Sequence, residues 1–223
     1  MEQRQDTSQR GQLTRQALIE AGCLLFGQKG FHLTSTRELA SAAGVNQALI
    51  GFHFGGKEGL YSAVLDYVEA QLSARLMPSK DTVHGLQASE GTPEERTICS
   101  LAIGEMIDNL VDVLIEPELE TWVCVILQEQ QEDSAAHERV FENFVAPHFA
   151  CLLDLVSRLR PDSSETDNRL TTTILIGQVL AFRPARSLIL KHMKWETIGP
   201  EQARAIKDAV RRNVTLPLVS RKE

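Results

Sequence analysis

The stretch GVNQALIGFHFGGKEGLY, Gly44–Tyr61, decides how the chain is read. It carries no formal charge before Lys57, opens on Asn46 and Gln47, and contains the pair Gly55-Gly56. A helix over about Asn46–His53 fits between Gly44 and that pair, since glycine readily takes the left-handed conformation that ends helices. Just upstream, STRE at Ser35–Glu38 is a capping box, with Ser35 as N-cap and Glu38 at the third helical position. It opens a second short helix over about Thr36–Ala43. Two short helices joined at a glycine turn form a helix-turn-helix. Such a unit lays its second helix in the major groove of DNA, N-terminal residues toward the base edges.

The residue types suit that use. The amides of Asn46 and Gln47 both donate and accept, which matches adenine N6 and N7, and Ala48 and Leu49 are apolar partners for a thymine methyl. Val45 and Ile50 are assigned to the core with Leu39, Ala40 and Ala43. Phosphates bind where helix N-termini point backbone N–H groups outward. The hydroxyls of Ser35 and Thr36 stand at one such end, and Gly56 and Lys57 at another. His53, at the end of the reading helix, is placed for a backbone contact. Phosphate contacts position a protein on DNA without reading sequence. Each residue also has a plainer reading: Asn46 as a helix cap, Lys57 as a solvated charge.

Working outward, the chain reads as helices with no strand pattern and no internal repeat. Leu13, Ala17, Ala21, Leu24 and Leu25 recur at helical spacing over Leu13–Gln28. A longer helix runs from Lys57 to about Leu76. Residues 78–91, PSKDTVHGLQASEG, have no clear period and read as a linker. TPEE predicts a helix start with Thr92 as N-cap, Pro93 first and Glu95 third. That helix runs to about Leu114, before the proline of EPE. Further helices are expected around Leu119–Leu127, Ala135–Leu159 with Pro147 as the place for a bend, Thr166–Phe182, Arg186–Met193 and Pro200–Leu216. EQQEDSAA separates the first two of these. The fold class is all-α: a helix-turn-helix domain at 1–60 and a helical domain at 61–223.

The chain has 223 residues and a net charge of −7. Residues 1–60 hold six Lys/Arg against five Asp/Glu, and the remainder 17 against 25, so only the first part would not repel a polyanion. No apolar run approaches the ~20 residues of a membrane span, and the polar start MEQRQDTSQRGQ is no signal peptide. A cytoplasmic protein with no membrane partner is expected. Cys23, Cys99, Cys124 and Cys151 form no C-x-x-C and have no neighbouring cation, which favours buried reduced thiols over redox sensors. His137 and His148 share a helix face but lie too far apart for one ion, so no metal and no cofactor is expected.

The run Thr14–Leu60 resembles the DNA-binding domain of the TetR family of transcriptional regulators. The pieces ALIEAGCLLFGQKGF, TSTRELASAAGVN and HFGGKEGLY carry the likeness. TWVCVILQEQQ (Thr121–Gln131), VFENFVAPHFACLLDLVSRL (Val140–Leu159) and ILIGQVLAFRPARSLILKHMKW (Ile174–Trp195) resemble the C-terminal domain of the CecR-type branch. The resemblance implies a homodimeric regulator, usually a repressor, that binds a palindromic operator in double-stranded DNA and responds to a small hydrophobic effector. By position it puts base contacts on Asn46, Gln47, Ala48 and Leu49, and phosphate contacts on Thr36, His53 and Lys57. One departure stands out: many members have a tyrosine where this chain has Gly51. That contact is lost, and Phe52 or His53 is left to share it.

An effector pocket is apolar with a few polar groups. Met106, Leu110, Trp122, Ile126, Phe141, Phe144, His148 and Phe182 are the candidates, each with plain core packing as the alternative. For dimerisation, Leu170, Ile174, Gly177 and Ala181 share one helix face, and Ile206 and Val210 another. Intrachain packing is the alternative there, and the resemblance favours dimer contacts. The sequence has no G-x-S-x-G, H-E-x-x-H, P-loop or dinucleotide fingerprint, so an enzyme is not expected. The rival reading is a helical ligand-binding or interaction protein that has lost DNA binding.

Overall fold

The computed structural model describes residues 2–129 and 135–219, with side chains for 9–129 and 136–212. These residues form helices, and no strand occurs among them. They divide into two compact units. The first holds residues up to Leu72 together with Glu118–Asn143, and the second holds Ser73–Pro117 and Phe144 onward. Within the span read as a second domain, 61–223, residues 118–143 cluster with the helix-turn-helix.

The first unit is built on α1 (Glu2–Leu33), α2 (Thr36–Ala42), α3 (Ala48–Phe54), most of α4 (Lys57–Leu76), α7 (Glu120–Glu129) and α8 (Ala135–Val140). Leu18 and Phe26 of α1, Leu39 of α2, Ile50 of α3 and Leu60, Val64 and Val68 of α4 make its core. Their burial removes apolar surface from water, the main drive for folding. Helix α1 extends past Gln28, where the sequence reading stopped it, and breaks at Gly30 (φ 77°). Gly27 does not end the helix. It lets α7 approach: a Cβ there would lie 2.4 Å from the carbonyl oxygen of Thr121. Gln128 completes the seam by donating to the carbonyl of Gly27 at 3.3 Å.

Polar contacts fasten α4 within this unit. The Tyr61 hydroxyl donates to the buried Glu129 carboxylate, and the Tyr61 ring meets Phe26 edge-on at 4.8 Å. Arg139 donates to the Ser62 hydroxyl at 2.6 Å and pairs with Asp66 at 3.2 Å. Its guanidinium also lies 3.9 Å from Glu69. Burial pushes the Glu69 carboxyl upward, against the pull of Arg139. The break read at EQQEDSAA falls mostly on 130–134, outside the described residues.

The second unit comprises α5 (Lys80–Ser89), α6 (Glu95–Ile115), α9 (Ala146–Leu159), α10 (Glu165–Leu180), α11 (Arg186–Met193) and α12 (Pro200–Val219). Ile103 and Ile107 of α6, Leu152, Leu155 and Val156 of α9, Leu175 and Val179 of α10 and Ile206 and Val210 of α12 fill its centre. Residues 78–91 are not a linker. Ser79 caps α5 by accepting from the Thr82 N–H, and Glu105 of α6 accepts from the Ser79 N–H at 2.9 Å and the Thr82 hydroxyl at 2.6 Å. A ten-residue helix is marginal alone, and these tertiary anchors supply what its periodicity lacks. Helix α6 begins at Glu95, two residues later than TPEE suggested, because Glu95 accepts from the Gly91 N–H at 3.0 Å and Thr92 joins the preceding turn.

The bend expected at Pro147 is a π turn, Phe141–Val145, leading into α9. Proline lacks an N–H and its ring crowds the preceding turn, and a widened turn accommodates both. Ala136–Leu159 is long and apolar enough for a membrane span by length and composition alone. Helix α9 nevertheless buries Leu152, Leu155, Val156 and Leu159 against protein, while Asp154 and Arg158 pair at 2.9 Å on its exposed side. It is an amphipathic core helix.

Candidate nucleic-acid interface

The capping box reads out as expected. Ser35 Oγ accepts from the Glu38 N–H at 3.2 Å and Glu38 Oε2 accepts from the Ser35 N–H at 2.9 Å. Lys29 donates to the other Glu38 oxygen at 2.6 Å. That bond, with those from Ser35, holds the Glu38 carboxyl down at about 2. The turn closes at Gly44 (φ 66°), and the Val45 N–H returns to the Ala40 carbonyl at 2.9 Å.

Helix α3 is tethered at its start. Asn46 Oδ1 accepts from the Ala48 N–H at 2.9 Å, so Asn46 serves as a local cap. Gln47 donates to the Thr36 hydroxyl at 2.8 Å, joining the N-termini of α3 and α2. Asn46, Gln47 and Ala48 are exposed together, Leu49 is half-buried beside them, and Ile50 is sunk in the core. One edge therefore presents two amides and two apolar side chains at the N-terminus of a seven-residue helix. Four of the expected base contacts stand side by side there, with Thr36 attached.

Gly55 (φ 76°) ends α3, its N–H bonded to the Gly51 carbonyl at 2.9 Å. Gly59 sits so close that a Cβ would lie 1.8 Å from the Phe54 carbonyl oxygen. These glycines bring the first turn of α4 hard against the end of α3. Lys57 lies over the Phe31 ring with Nζ 4.2 Å from its centroid, and Arg15 lies over Phe54 at 5.3 Å. His53 is half-buried with its ring 5.0 Å from Phe52. Phe52 itself is 81 % exposed, the most exposed large apolar side chain of the chain's described residues. Its sequence signal is its place two residues after Ile50, off the core face. Nothing lies within 4 Å of where a Gly51 Cβ would be.

The expected ligand residues are drawn from both units. Trp122, Ile126 and Phe141 belong to the first unit, and Met106, Leu110, Phe144, His148 and Phe182 to the second. Trp122 packs edge-on against Tyr67 at 5.6 Å, Ile126 is core, and Phe141 is largely exposed. In the second unit Phe144 and Met106 are buried, while Leu110 and Phe182 are half-buried. His148 Nδ1 lies 2.5 Å from the Phe144 carbonyl, and its ring is 4.8 Å from the Phe144 ring. Burial pushes the His148 pKa down, against that hydrogen bond. Cys151, one turn on, lies 3.9 Å from the Met106 sulfur. Burial also raises the thiols of Cys99 and Cys151, and that of Cys23 to about 12, so these three are not activated nucleophiles.

Leu170, Ile174, Gly177 and Ala181 are exposed along one side of α10. Ile206 and Val210 are instead buried in the core of their own unit, where α12 packs on α6 and α10. Their apolar surface is already used within the chain, whereas the α10 face stays exposed.

A glycine-pinned helix-turn-helix with an exposed reading edge, followed by a larger helical unit, defines a transcriptional regulator of the helix-turn-helix class. Residues 18–64 match the model of the bacterial regulatory proteins of the tetR family, and residues 101–219 match the C-terminal domain of the HTH-type transcriptional dual regulator CecR. The chain belongs to the TetR family, with a CecR-type C-terminal domain, and is a regulator rather than an enzyme. The dual regulator CecR of Shigella flexneri is 29% identical over 210 residues, 94% of this chain and 93% of that one. The probable regulator YttP of Bacillus subtilis is 51% identical over 47 residues, 21% of this chain and 23% of its own. Among solved structures, AibR in complex with isovaleryl coenzyme A and operator DNA superposes with a TM-score of 0.65 at 13% identity, covering 90% of this chain and 97% of AibR. The flavonoid-responsive regulator FrrA gives 0.58 at 18%, covering 92% and 96%. At such identities these two establish the shared fold.

Proposed function

We propose that the protein is a cytoplasmic repressor that binds a palindromic operator as a homodimer and is released by a small hydrophobic effector. The observation that carries the DNA half is the exposed edge Asn46-Gln47-Ala48-Leu49, held to Thr36 through Gln47. Two amides and two apolar groups at a helix N-terminus match the acceptor, donor and methyl pattern of A·T pairs in the major groove. Ser35, Thr36, His53 and Lys57 flank that edge for phosphate contacts. The two reading helices of a dimer sit about 34–36 Å apart on successive major grooves. The α10 face, Leu170-Ile174-Gly177-Ala181, joins the copies.

Residues 1–60 act as the DNA-binding domain and 61–223 as the effector and dimer domain, with 118–143 on the DNA-binding side in space. The effector acts through α4, whose last turn, Ser73–Leu76, belongs to the second unit. It lowers DNA affinity only by binding the DNA-incompetent arrangement better. AibR was solved with both isovaleryl coenzyme A and operator DNA, a precedent for one such fold holding a small molecule and DNA together. The S. flexneri relative is named a dual regulator, which makes activation at some promoters the second reading.

The deciding experiment is selection of random duplex DNA by the full-length protein beside Gln47→Ala. An enriched palindrome, with preference relaxed by about tenfold at the Gln47 positions in the variant, is expected. No enrichment at moderate salt sinks the reading in favour of a ligand-binding protein that has lost DNA recognition.

A further inference from the structure

The ring of His148 has a hydrogen-bond arrangement that fixes its chemistry. Nδ1 lies 2.5 Å from the Phe144 carbonyl, which only accepts, so the proton sits on Nδ1. Nε2 then carries a lone pair. Nε2 is shut off from solvent and meets no donor among the described residues. Desolvation disfavours the charged ring, so the imidazole stays neutral near pH 7. A buried acceptor without a donor is destabilising relative to a satisfied one.

The surroundings are apolar and soft. Phe144 of the π turn and His148, Cys151, Leu152 and Leu155 of α9 follow one another at helical spacing, and α9 packs on α6. The Phe144 ring stands beside the imidazole, and the Met106 sulfur of α6 meets Cys151 one turn further along. A neutral acceptor among aromatic and thioether groups matches a ligand with an apolar skeleton and one O–H or N–H donor. It opposes a carboxylate, which would meet a lone pair with no cation to offset it.

We propose that Nε2 of His148 is the selecting group of the effector site, accepting a hydrogen bond from a hydroxyl or N–H on an apolar, uncharged ligand. This rests on the reading of the second unit as the effector-binding unit. It narrows the eight sequence candidates to a cluster centred on His148, Phe144 and Met106.

The test uses full-length protein with ¹⁵N-labelled histidine and three probes of one skeleton: 2-naphthol, 2-methoxynaphthalene and 2-naphthoate. In the free protein His148 should show the Nδ1–H tautomer. Titration with 2-naphthol should move its Nε2 resonance upfield, toward a protonated nitrogen. The methyl ether should bind at least about fivefold more weakly, and the naphthoate more weakly still. In His148→Leu the preference for naphthol over its ether should vanish. If that variant does not fold, the wild-type comparison decides alone. An Nε2–H tautomer in the free protein, equal binding of naphthol and ether, preference for naphthoate, or no binding of any of the three overturns the proposal. DNA selection reads the regulator function separately, so either result is interpretable when the other fails.

Discussion

In the first unit backbone meets backbone, whereas in the second unit side chains keep the helices apart. A Cβ on Gly59 would lie 1.8 Å from the Phe54 carbonyl oxygen, and one on Gly27 would lie 2.4 Å from that of Thr121. In the second unit, Gly104 and Gly177 have nothing within 4 Å of that position. There the helices are spaced by Ile103, Ile107, Leu155 and Val179 and tied by ion pairs such as Lys207–Asp112 at 2.6 Å and Arg158–Glu95 at 3.1 Å. The difference teaches where each unit can change. A reading helix must be held within fractions of an ångström of its neighbours to present four side chains together. A unit spaced by flexible side chains can re-pack around a guest.

The largest expected effect follows from the closest contact. Gly59→Ala forces the start of α4 away from α3 and should cost about 3 kcal/mol in a denaturant melt. Gly104→Ala, mid-helix and unobstructed, should gain up to about 1 kcal/mol. Equal effects at the two sites would erase the distinction between the units.

Next comes the polar fastening of α4. Arg139→Ala removes the cation beside Glu69 and should cost about 1–3 kcal/mol. Its pH dependence has a definite sign. The folded-state pKa of Glu69 is raised, so folding favours the protonated carboxyl. That contribution is present below the unfolded value and is lost as pH rises through the folded one. Without Arg139 the folded value rises further, so the variant should be more destabilised at pH 8 than at pH 4. Urea melts at the two pH values check this, and the opposite order breaks the account.

The same comparison explains what was legible in the sequence. The helix-turn-helix was readable almost residue by residue, because its turns depend on local chemistry. Ser35 and Glu38 cap each other within four residues, Gly44 and Gly55 take positive φ, and α4 starts after Gly56 and ends at Leu76 as read. The helices of the second unit other than α5 are legible, but not what they face. Ile206 and Val210 have the spacing of an interface stripe, and only the packing of α12 assigns them to the core. Helix α5 was missed because a carboxylate 26 residues away, Glu105, stabilises its start. The attachment of 118–143 to the first unit was equally hidden, since Gly27 and Thr121 meet across a long sequence separation.

A smaller effect tests the capping box. Ser35→Ala should cost about 1 kcal/mol. In wild-type protein an NMR titration should place the Glu38 carboxyl at about 2. Its depressed value means its contribution is present above the unfolded pKa and is lost as pH falls through about 2. Lys29→Ala, which removes the largest cause, should return the value toward that of an ordinary glutamate. An unchanged value would mean Lys29 does not hold this carboxylate.

The smallest effect falls on a glycine in the first unit that nothing constrains. Gly51 lies mid-helix in α3, exposed, with open space around it. Its backbone needs no positive φ, so the residue brings only the freedom of glycine and costs up to about 1 kcal/mol against alanine. Its neighbour Phe52 is 81 % exposed and is the large apolar side chain open to solvent on that turn. Gly51→Ala should therefore raise the melting temperature slightly and tighten operator binding, because less of the helix must be ordered on contact. Phe52→Ala should leave the melting temperature in place and weaken operator binding. If Gly51→Ala melts no higher and binds no tighter, the reading helix is already fully ordered in the free protein, and the contact between Gly51's neighbours and DNA is set by side chains alone.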